Sequence, residues 1–350
     1  MSFARPNTKH PRLFVNDLGY TRKDYEGAIS TLCAGCGHDS ISNAIIQACL
    51  ELNVEPHKVA KMSGIGCSSK SPTYFLSQSH GFNSVHGRMP SVATGAALAN
   101  RDMLYIGVSG DGDTASIGMG QFAHVVRRQL NMLYIVENNG VYGLTKGQNS
   151  ATLDYGSKSK KGEENLYEPI DLASVALQLG ATFVARSFSG DKEQLVPLLK
   201  AAMSHKGFAF VDIVSPCVTF NNHPGSMKSF DFVREHMFET GKADFIPMKE
   251  EINVDYEPGK TQEVTLHDGS VLHFHKDGNY YDRLDRWAAL SEIEKYKQRG
   301  EILTGLLYVE PDASDTHQLL NTNNKPLNSL SEQELCPGSQ ALNIINSSLR

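Results

Sequence analysis

Short apolar runs and longer amphipathic stripes alternate along this chain between about positions 37 and 217. The runs 103–109 (MLYIGVS) and 132–137 (MLYIVE) are short and almost wholly apolar, the pattern of strands buried on both faces. GDGDT follows the first run and 117–130 reads as a helix, so the unit is a strand–helix–strand crossover with parallel strands. Upstream, Ile41, Ile45, Ala48, Cys49 and Leu52 fall at spacings of three and four. That stripe predicts a helix ending near Leu52, with Asp39 or Ser40 as its cap. A strand over 59–66 enters the loop GIGCSSKSP, and 91–99 (SVATGAALA) is a helix of small residues suited to close packing. Helices over 172–179 and 191–204 then alternate with strands over 182–186 and 208–215. The alternation predicts an α/β fold with a doubly wound, mostly parallel sheet.

Beyond about 225 the pattern changes. EVTLHDGSVLHFH (263–275) reads as a hairpin around Asp268-Gly269, 285–298 as a helix, and the Asn/Ser-rich stretch from 311 as a loosely docked tail. The expected units are an arm (1–27), the α/β domain (28–225), a C-terminal domain or extension (226–310) and a polar tail (311–350). The charged run 157–165 reads as solvated.

Composition narrows the class. With 350 residues the chain can bury a large core, as two domains or as one large α/β domain with appendages. A net charge of -6 gives no basic footprint for nucleic acid or an anionic membrane. Residues 1–13 have no apolar signal core, and no window approaches the ~18 apolar residues of a membrane span. A soluble, cytoplasmic protein is expected. Six cysteines are too few for a disulfide framework, so any cluster among them points to metal or redox chemistry.

The first candidate chemistry lies in Gly110-Asp111-Gly112-Asp113, between a strand and a helix. Gly110-x-Gly112-x-x-Ala115, with Glu137 ending the next strand, fits a loose dinucleotide fingerprint. Two aspartates beside a pyrophosphate would repel it, and a divalent cation between them removes the conflict. Asn139 lies 28 positions after Asp111, at the end of the neighbouring strand. Asp111, Asn139 and a nearby backbone carbonyl are oxygen donors suited to Mg²⁺. GDG followed by NN resembles the thiamine-diphosphate motif, against the plainer reading of a surface turn and an Asn-rich loop.

The second lies in the cysteines. Cys33 and Cys36 form a C-x₂-C knuckle, and Cys67 and Cys217 stand singly in loops flanked by glycine or proline. Cys49 sits on a helical apolar stripe and Cys336 in the tail. Four loop cysteines suffice for a structural zinc or a [4Fe–4S] cluster, and one knuckle with two singles suits a cluster better than a zinc ribbon. Spacing alone leaves iron–sulfur, zinc and no metal open.

CAGCGH, SGIGCSSKSP, HGR, SGDGD-x-x-x-IG, ENNGVYGLTKGQ-x-S and SPCVTFN occur in this order. Together they resemble the β subunits of 2-oxoacid:ferredoxin oxidoreductases, over about residues 28–240. NNHPGSMKSFDFVREH is similar to the β chains acting on 2-oxoglutarate. The resemblance implies a thiamine-diphosphate-binding fold with Cys33, Cys36, Cys67 and Cys217 on a [4Fe–4S] cluster. It implies Mg²⁺ on Asp111, Asn139 and the Val141 carbonyl. Thiamine diphosphate would lie among Ile65, Gly66, Cys67, Ser68, His86, Gly87, Gly112, Asp113, Leu144 and Thr145. Lys146 would sit near the substrate carboxylate. His86 is a candidate for hydrogen-bonding intermediates or phosphate, and Arg88 for binding a carboxylate or the diphosphate; for both, a structural role is the rival.

The implied reaction is oxidative decarboxylation of a 2-oxoacid, with coenzyme A accepting the acyl group and ferredoxin the electrons. 2-Oxoglutarate is the preferred substrate; pyruvate and branched 2-oxoacids stay open. The cofactor-activating glutamate would come from a partner α subunit, in a heterodimer or a dimer of heterodimers. A cluster-free thiamine decarboxylase subunit and a zinc-stabilised nucleotide-binding module are the competing classes.

Overall fold

Eight strands form the central sheet of the computed structural model, which describes residues 14–158, 162–240, 281–336 and 338–349, and the backbone of 261–265 and 271–275. They are β1 (Val59–Ser63), β2 (His80–Asn83), β3 (Leu104–Gly110), β4 (Met132–Asn138), β7 (Phe183–Phe188), β8 (Phe208–Val214), β9 (Met237–Glu239) and β12 (Ile302–Val309). The order is β2-β1-β3-β4-β8-β7-β12-β9, all parallel except that β12 runs antiparallel to β7. Two small hairpins stand apart: β5 (Val141–Tyr142) with β6 (Gln148–Asn149), and β10 (Thr261–Thr265) with β11 (Val271–His275).

The apolar runs explain the layering. On β4 and β8, Tyr134, Val136, Phe208 and Phe210 enter one core while Leu133, Ile135, Ala209, Val211 and Ile213 enter the other. Side chains alternate across a strand, so a strand covered on both faces needs no polar positions. Helices α1 (Gly37–Glu51) and α5 (Lys192–Ser204) cover one face. Helices α2 (Met89–Ala99), α3 (Met119–Arg127), α4 (Leu172–Leu179) and α7 (Arg286–Gln298) cover the other. There Phe122 meets Tyr134 edge-on, with ring centroids 5.3 Å apart. The short α6 (Phe230–His236) leads into β9.

Several expectations shift. Helix α1 begins at Gly37 with Cys36 at its N-cap, ahead of Asp39 and Ser40. The predicted helix 117–130 is one π-helical turn, Gly112–Ile117, followed by α3. From the expected C-terminal unit, β9 and β12 extend the same sheet. The hairpin forms, but its Asp268-Gly269 turn lies outside the described residues, as do 159–161 of the charged run and 1–13 of the arm.

The tail docks at its start, where α8 (Thr316–Leu319) places Thr316 Oγ1 2.6 Å from the Arg128 carbonyl. Farther on, α9 (Glu332–Leu335) and α10 (Gly338–Ser348) bury no side chain, and Cys336 is exposed. Among the described residues no helix is long and apolar enough to cross a membrane.

Candidate functional site

The chain runs from β1 outward to β2, then crosses back to β3 on the other side of β1. That makes β1/β3 a topological switch point, where open α/β sheets leave a crevice at the carboxyl ends of the strands. A cavity of about 100 Å³ lies there. Its walls are residues 65–68 after β1, His86, residues 110–113 after β3, Asn139 after β4, and residues 141–145 of the following hairpin.

Twelve of the predicted site residues therefore meet in one place: Ile65, Gly66, Cys67, Ser68, His86, Asp111, Gly112, Asp113, Asn139, Val141, Leu144 and Thr145. Six do not line it: Cys33, Cys36 and Cys217, taken up below, and Gly87, Arg88 and Lys146. Gly87 is buried beside it, Arg88 is exposed at the N-cap of α2, and Lys146 is exposed next to the lining residue Thr145. Lys146 has φ +80°, a left-handed conformation that costs a lysine energy and that clusters at functional loops.

Asp111 is buried, and all three of its donors are neutral. Oδ2 accepts from Thr152 Oγ1 at 2.8 Å and from Ser150 Oγ, and Oδ1 from the Asn139 N–H at 3.3 Å. Burial pushes its carboxyl above the ordinary value in spite of these bonds. A buried carboxylate facing a cavity beside a side-chain amide oxygen and a loop carbonyl fits a hard divalent cation. Gly112 admits no side chain, because a Cβ there would stand 2.5 Å from the Tyr142 ring.

Asp113 has a different task. Oδ1 accepts from the Gly87 N–H at 2.7 Å, the Ile65 N–H at 3.3 Å and His86 Nδ1, and Oδ2 accepts from Ser109 Oγ at 2.7 Å. Both oxygens are thus occupied by protein groups. Asp113 joins the loop after β1 to the His86-Gly87 turn and leaves Nε2 as the free ring nitrogen of His86. A Cβ at Gly64 would collide with this carboxylate.

The four loop cysteines converge beside the same cavity. A Cβ at Gly143 would stand 3.5 Å from both Cys67 Sγ and Cys217 Sγ, so these sulfurs are at most twice that distance apart. Thr219 Oγ1 is 3.5 Å from Cys33 Sγ, and Cys36 closes a turn with its N–H 3.0 Å from the Cys33 carbonyl. Burial pushes the Cys36 thiol up to about 12 and raises that of Cys67, so a metal must displace their protons. Cys49 is buried in the core, with Sγ 3.9 Å from Met203 Sδ. Among the described residues no three His, Cys, Asp or Glu side chains close around a point as a single ion requires.

Sequence reasoning missed several residues here. Ser150 and Thr152 hold Asp111, and Tyr142 covers Gly112. Behind the cysteines lie His38 and Glu137, buried to 2% and 0% exposure. His38 Nδ1 is 2.7 Å from Ser215 Oγ and 3.5 Å from Glu137 Oε2, which accepts from Ser71 Oγ at 2.9 Å. Burial lowers His38 to about 4 and raises the Glu137 carboxyl well above its ordinary value. In the sequence they stand as the last residue of CAGCGH and the first of ENN, with nothing to show that they meet.

Comparison with known proteins agrees with this geometry. Residues 63–213 match the family described as thiamine pyrophosphate enzyme, C-terminal TPP binding domain. The chain is 44% identical over 191 residues to the 2-oxoacid:ferredoxin oxidoreductase subunit beta of Sulfolobus sp, covering 54% of this chain and 63% of that relative's length. It is 37% identical over 233 residues to the 2-oxoglutarate synthase subunit KorB of Methanocaldococcus jannaschii, covering 65% of this chain and 84% of the relative. A solved 2-oxoglutarate:ferredoxin oxidoreductase from Magnetococcus marinus, with 2-oxoglutarate, coenzyme A and succinyl-CoA bound, superposes with a TM-score of 0.69 at 32% identity. The superposition covers 89% of this chain and 91% of that one. Residues 63–213 are a thiamine-diphosphate-binding domain, and the chain belongs to the β subunits of the 2-oxoacid:ferredoxin oxidoreductases.

Proposed function

We propose that this chain is the β subunit of a coenzyme-A-acylating 2-oxoacid:ferredoxin oxidoreductase that converts 2-oxoglutarate to succinyl-CoA and passes electrons singly to ferredoxin. The observation that carries the reading is the shared wall. Cys67 lines the cofactor cavity, and its sulfur faces Gly143 together with that of Cys217. Thiamine diphosphate on Mg²⁺ would supply the electron sink for decarboxylation, and a [4Fe–4S] cluster on Cys33, Cys36, Cys67 and Cys217 a one-electron relay.

The chain's own residues position these groups. Asp111 and Asn139 offer oxygens to Mg²⁺, with the Val141 carbonyl as third donor. Ile65, Gly66, Ser68, Gly112, Leu144 and Thr145 form the bed of the cofactor. His86, held at Nδ1 by Asp113, presents Nε2 to a ligand. Lys146 and Arg88, both exposed beyond the lining, are the cations available to a substrate carboxylate. A tetrahedral zinc with Zn–S near 2.3 Å draws its sulfurs to within about 4 Å of one another. One C-x₂-C knuckle with two single cysteines, in place of the paired knuckles of a zinc ribbon, favours a cluster.

Partners follow from what the cavity lacks. At about 100 Å³ it is smaller than the roughly 300–1,000 Å³ of a complete small-molecule site. Ile65, Val85, Ile117 and Leu144 are apolar yet 38–71% exposed. An α subunit seated there would complete the cavity and supply the activating carboxylate. The KorB relatives and the neighbour with bound 2-oxoglutarate favour that substrate. The test is co-purified α and β chains assayed anaerobically with 2-oxoglutarate, pyruvate and a branched 2-oxoacid, coenzyme A and a one-electron acceptor. Turnover of 2-oxoglutarate that needs both chains supports the reading; full activity of the β chain alone contradicts it.

A further inference from the structure

Glu137, the penultimate residue of the central strand β4, has its carboxylate fully buried, and Oε1 has no hydrogen-bond partner. A buried carboxyl with an unpartnered oxygen is costly, and the reaction described above gives it no task.

Its neighbours are not a random set. Ser71, which donates to Oε2, lies four residues after Cys67. His38, 3.5 Å away, lies two residues after Cys36. Ser215, 2.7 Å from His38, lies two residues before Cys217. Glu137 itself lies two residues before Asn139. Each cysteine-bearing loop thus sends one polar side chain to this buried cluster, Ser71 and His38 to Glu137 itself and Ser215 to His38, and the strand leading into the Asn139 loop supplies the carboxyl. The helix carrying His38 is pressed close: a Cβ at Gly37 would stand 2.5 Å from Ser215 Oγ.

We propose that Glu137 is a positioning residue which, with Ser71, His38 and Ser215, locks the three cysteine loops to the Mg²⁺–thiamine diphosphate loop, so that the two cofactor sites keep one spacing. Three loops far apart in sequence have no covalent reason to hold that spacing, whereas a shared buried hydrogen-bond hub gives them one. The inference rests on the cluster reading above. It adds that damage to the hub must reach both sites together.

The test compares wild-type α–β complex with Glu137→Gln, Glu137→Leu and the double variant Ser71→Ala/Ser215→Ala. Two quantities are read: the Kd for thiamine diphosphate in saturating Mg²⁺, and the iron content with the line shape of the reduced-cluster resonance. Glutamine keeps an acceptor for Ser71 and is expected to stay within twofold of wild type in Kd with an unchanged resonance. Leucine is expected to raise Kd at least tenfold and to halve the iron or split the resonance. Should the leucine variant fail to associate with the α chain, the double serine variant carries the test, with at least a threefold rise in Kd and a broadened resonance expected.

Change at one site only, no change at either, or a glutamine variant as damaged as the leucine one would overturn the proposal. Wild-type complex without iron would instead remove the cluster reading. The thiamine diphosphate Kd would then decide the hub alone: a rise with leucine but not glutamine supports it, and no rise overturns it.

Discussion

Two cavities open along the same sheet edge, and the larger is not the one lined by the glycine-aspartate and cysteine loops. The second, of about 330 Å³, lies by the ends of β7 and β8 and the start of β12, against α7. It contains Arg186, Lys228, Asp154, Asp171 and Asp212. There the charges satisfy one another: Arg186 binds Asp171 at 2.7 Å and Asp212 at 3.1 Å, and Lys228 binds Asp154 at 2.7 Å. In the smaller cavity a raised carboxyl faces neutral donors, glycines open the walls, and four thiols stand close by. Unbalanced charge and unfilled coordination, more than volume, mark the place prepared for a ligand.

The cavities are nonetheless linked. Thr152 Oγ1 bonds both Asp111 and Asn138, Asn138 Nδ2 bonds Asp212, and Asp212 accepts from Arg186. The larger cavity is therefore read as support behind the smaller, a contrast that substitutions can break. The largest effect is expected from Asp111→Ala, which removes the proposed cation ligand. Calorimetry should find the affinity for Mg²⁺–thiamine diphosphate reduced by about a hundredfold or more, beyond the range reached by losing an outer partner. Asp113→Ala should lower kcat/KM by about a hundredfold through loss of His86 orientation, with cofactor affinity changed far less.

Ser150→Ala, which removes one donor to Asp111, should weaken Mg²⁺ by about tenfold. Cys217→Ser should lose iron by elemental analysis, whereas Cys49→Ser should keep it. Arg186→Met should leave cofactor affinity within about twofold while costing roughly 3–5 kcal/mol of stability, because it strands the buried Asp212 and half-buried Asp171 carboxylates. If it abolished cofactor binding instead, the distinction between the cavities would fail.

The smallest effect is in pH. Burial opposes ionisation of Asp171, but the Arg186 guanidinium outweighs it and holds the carboxyl below its ordinary value. Stability from a lowered carboxyl is fully present above the unfolded value, near 3.9, and is lost as pH falls through the folded one. Denaturant titrations should therefore show the gap between wild type and Arg186→Met narrowing below about pH 4.

Much of this was legible in the sequence, for identifiable reasons. β3 and β4 are continuous apolar runs, and the switch-point loops carry glycine, aspartate and cysteine in motif order. β2 was not legible, since an exposed edge strand of HGFN has no apolar period. β12 escaped because Thr304 and Gly305 interrupt ILTGLLYV, although it pairs with β7 over buried positions. Asp113 was expected against the cofactor, yet its partners Ile65, His86 and Gly87 come from two other loops, which spacing cannot reveal. Glu137 was weighed only as a ribose-binding strand end. A buried carboxyl runs against residue preference, so only packing exposes it.

The central claim is that one chain holds both the thiamine cofactor and the cluster across a shared wall. Anaerobic paramagnetic resonance of the α–β complex, recorded after mixing with 2-oxoglutarate and coenzyme A, tests it most directly. A reduced [4Fe–4S] signal that appears on mixing, and is lost with Cys217→Ser or Asp111→Ala, is the predicted result. Turnover by wild-type complex with no such signal and no iron in this chain would contradict it.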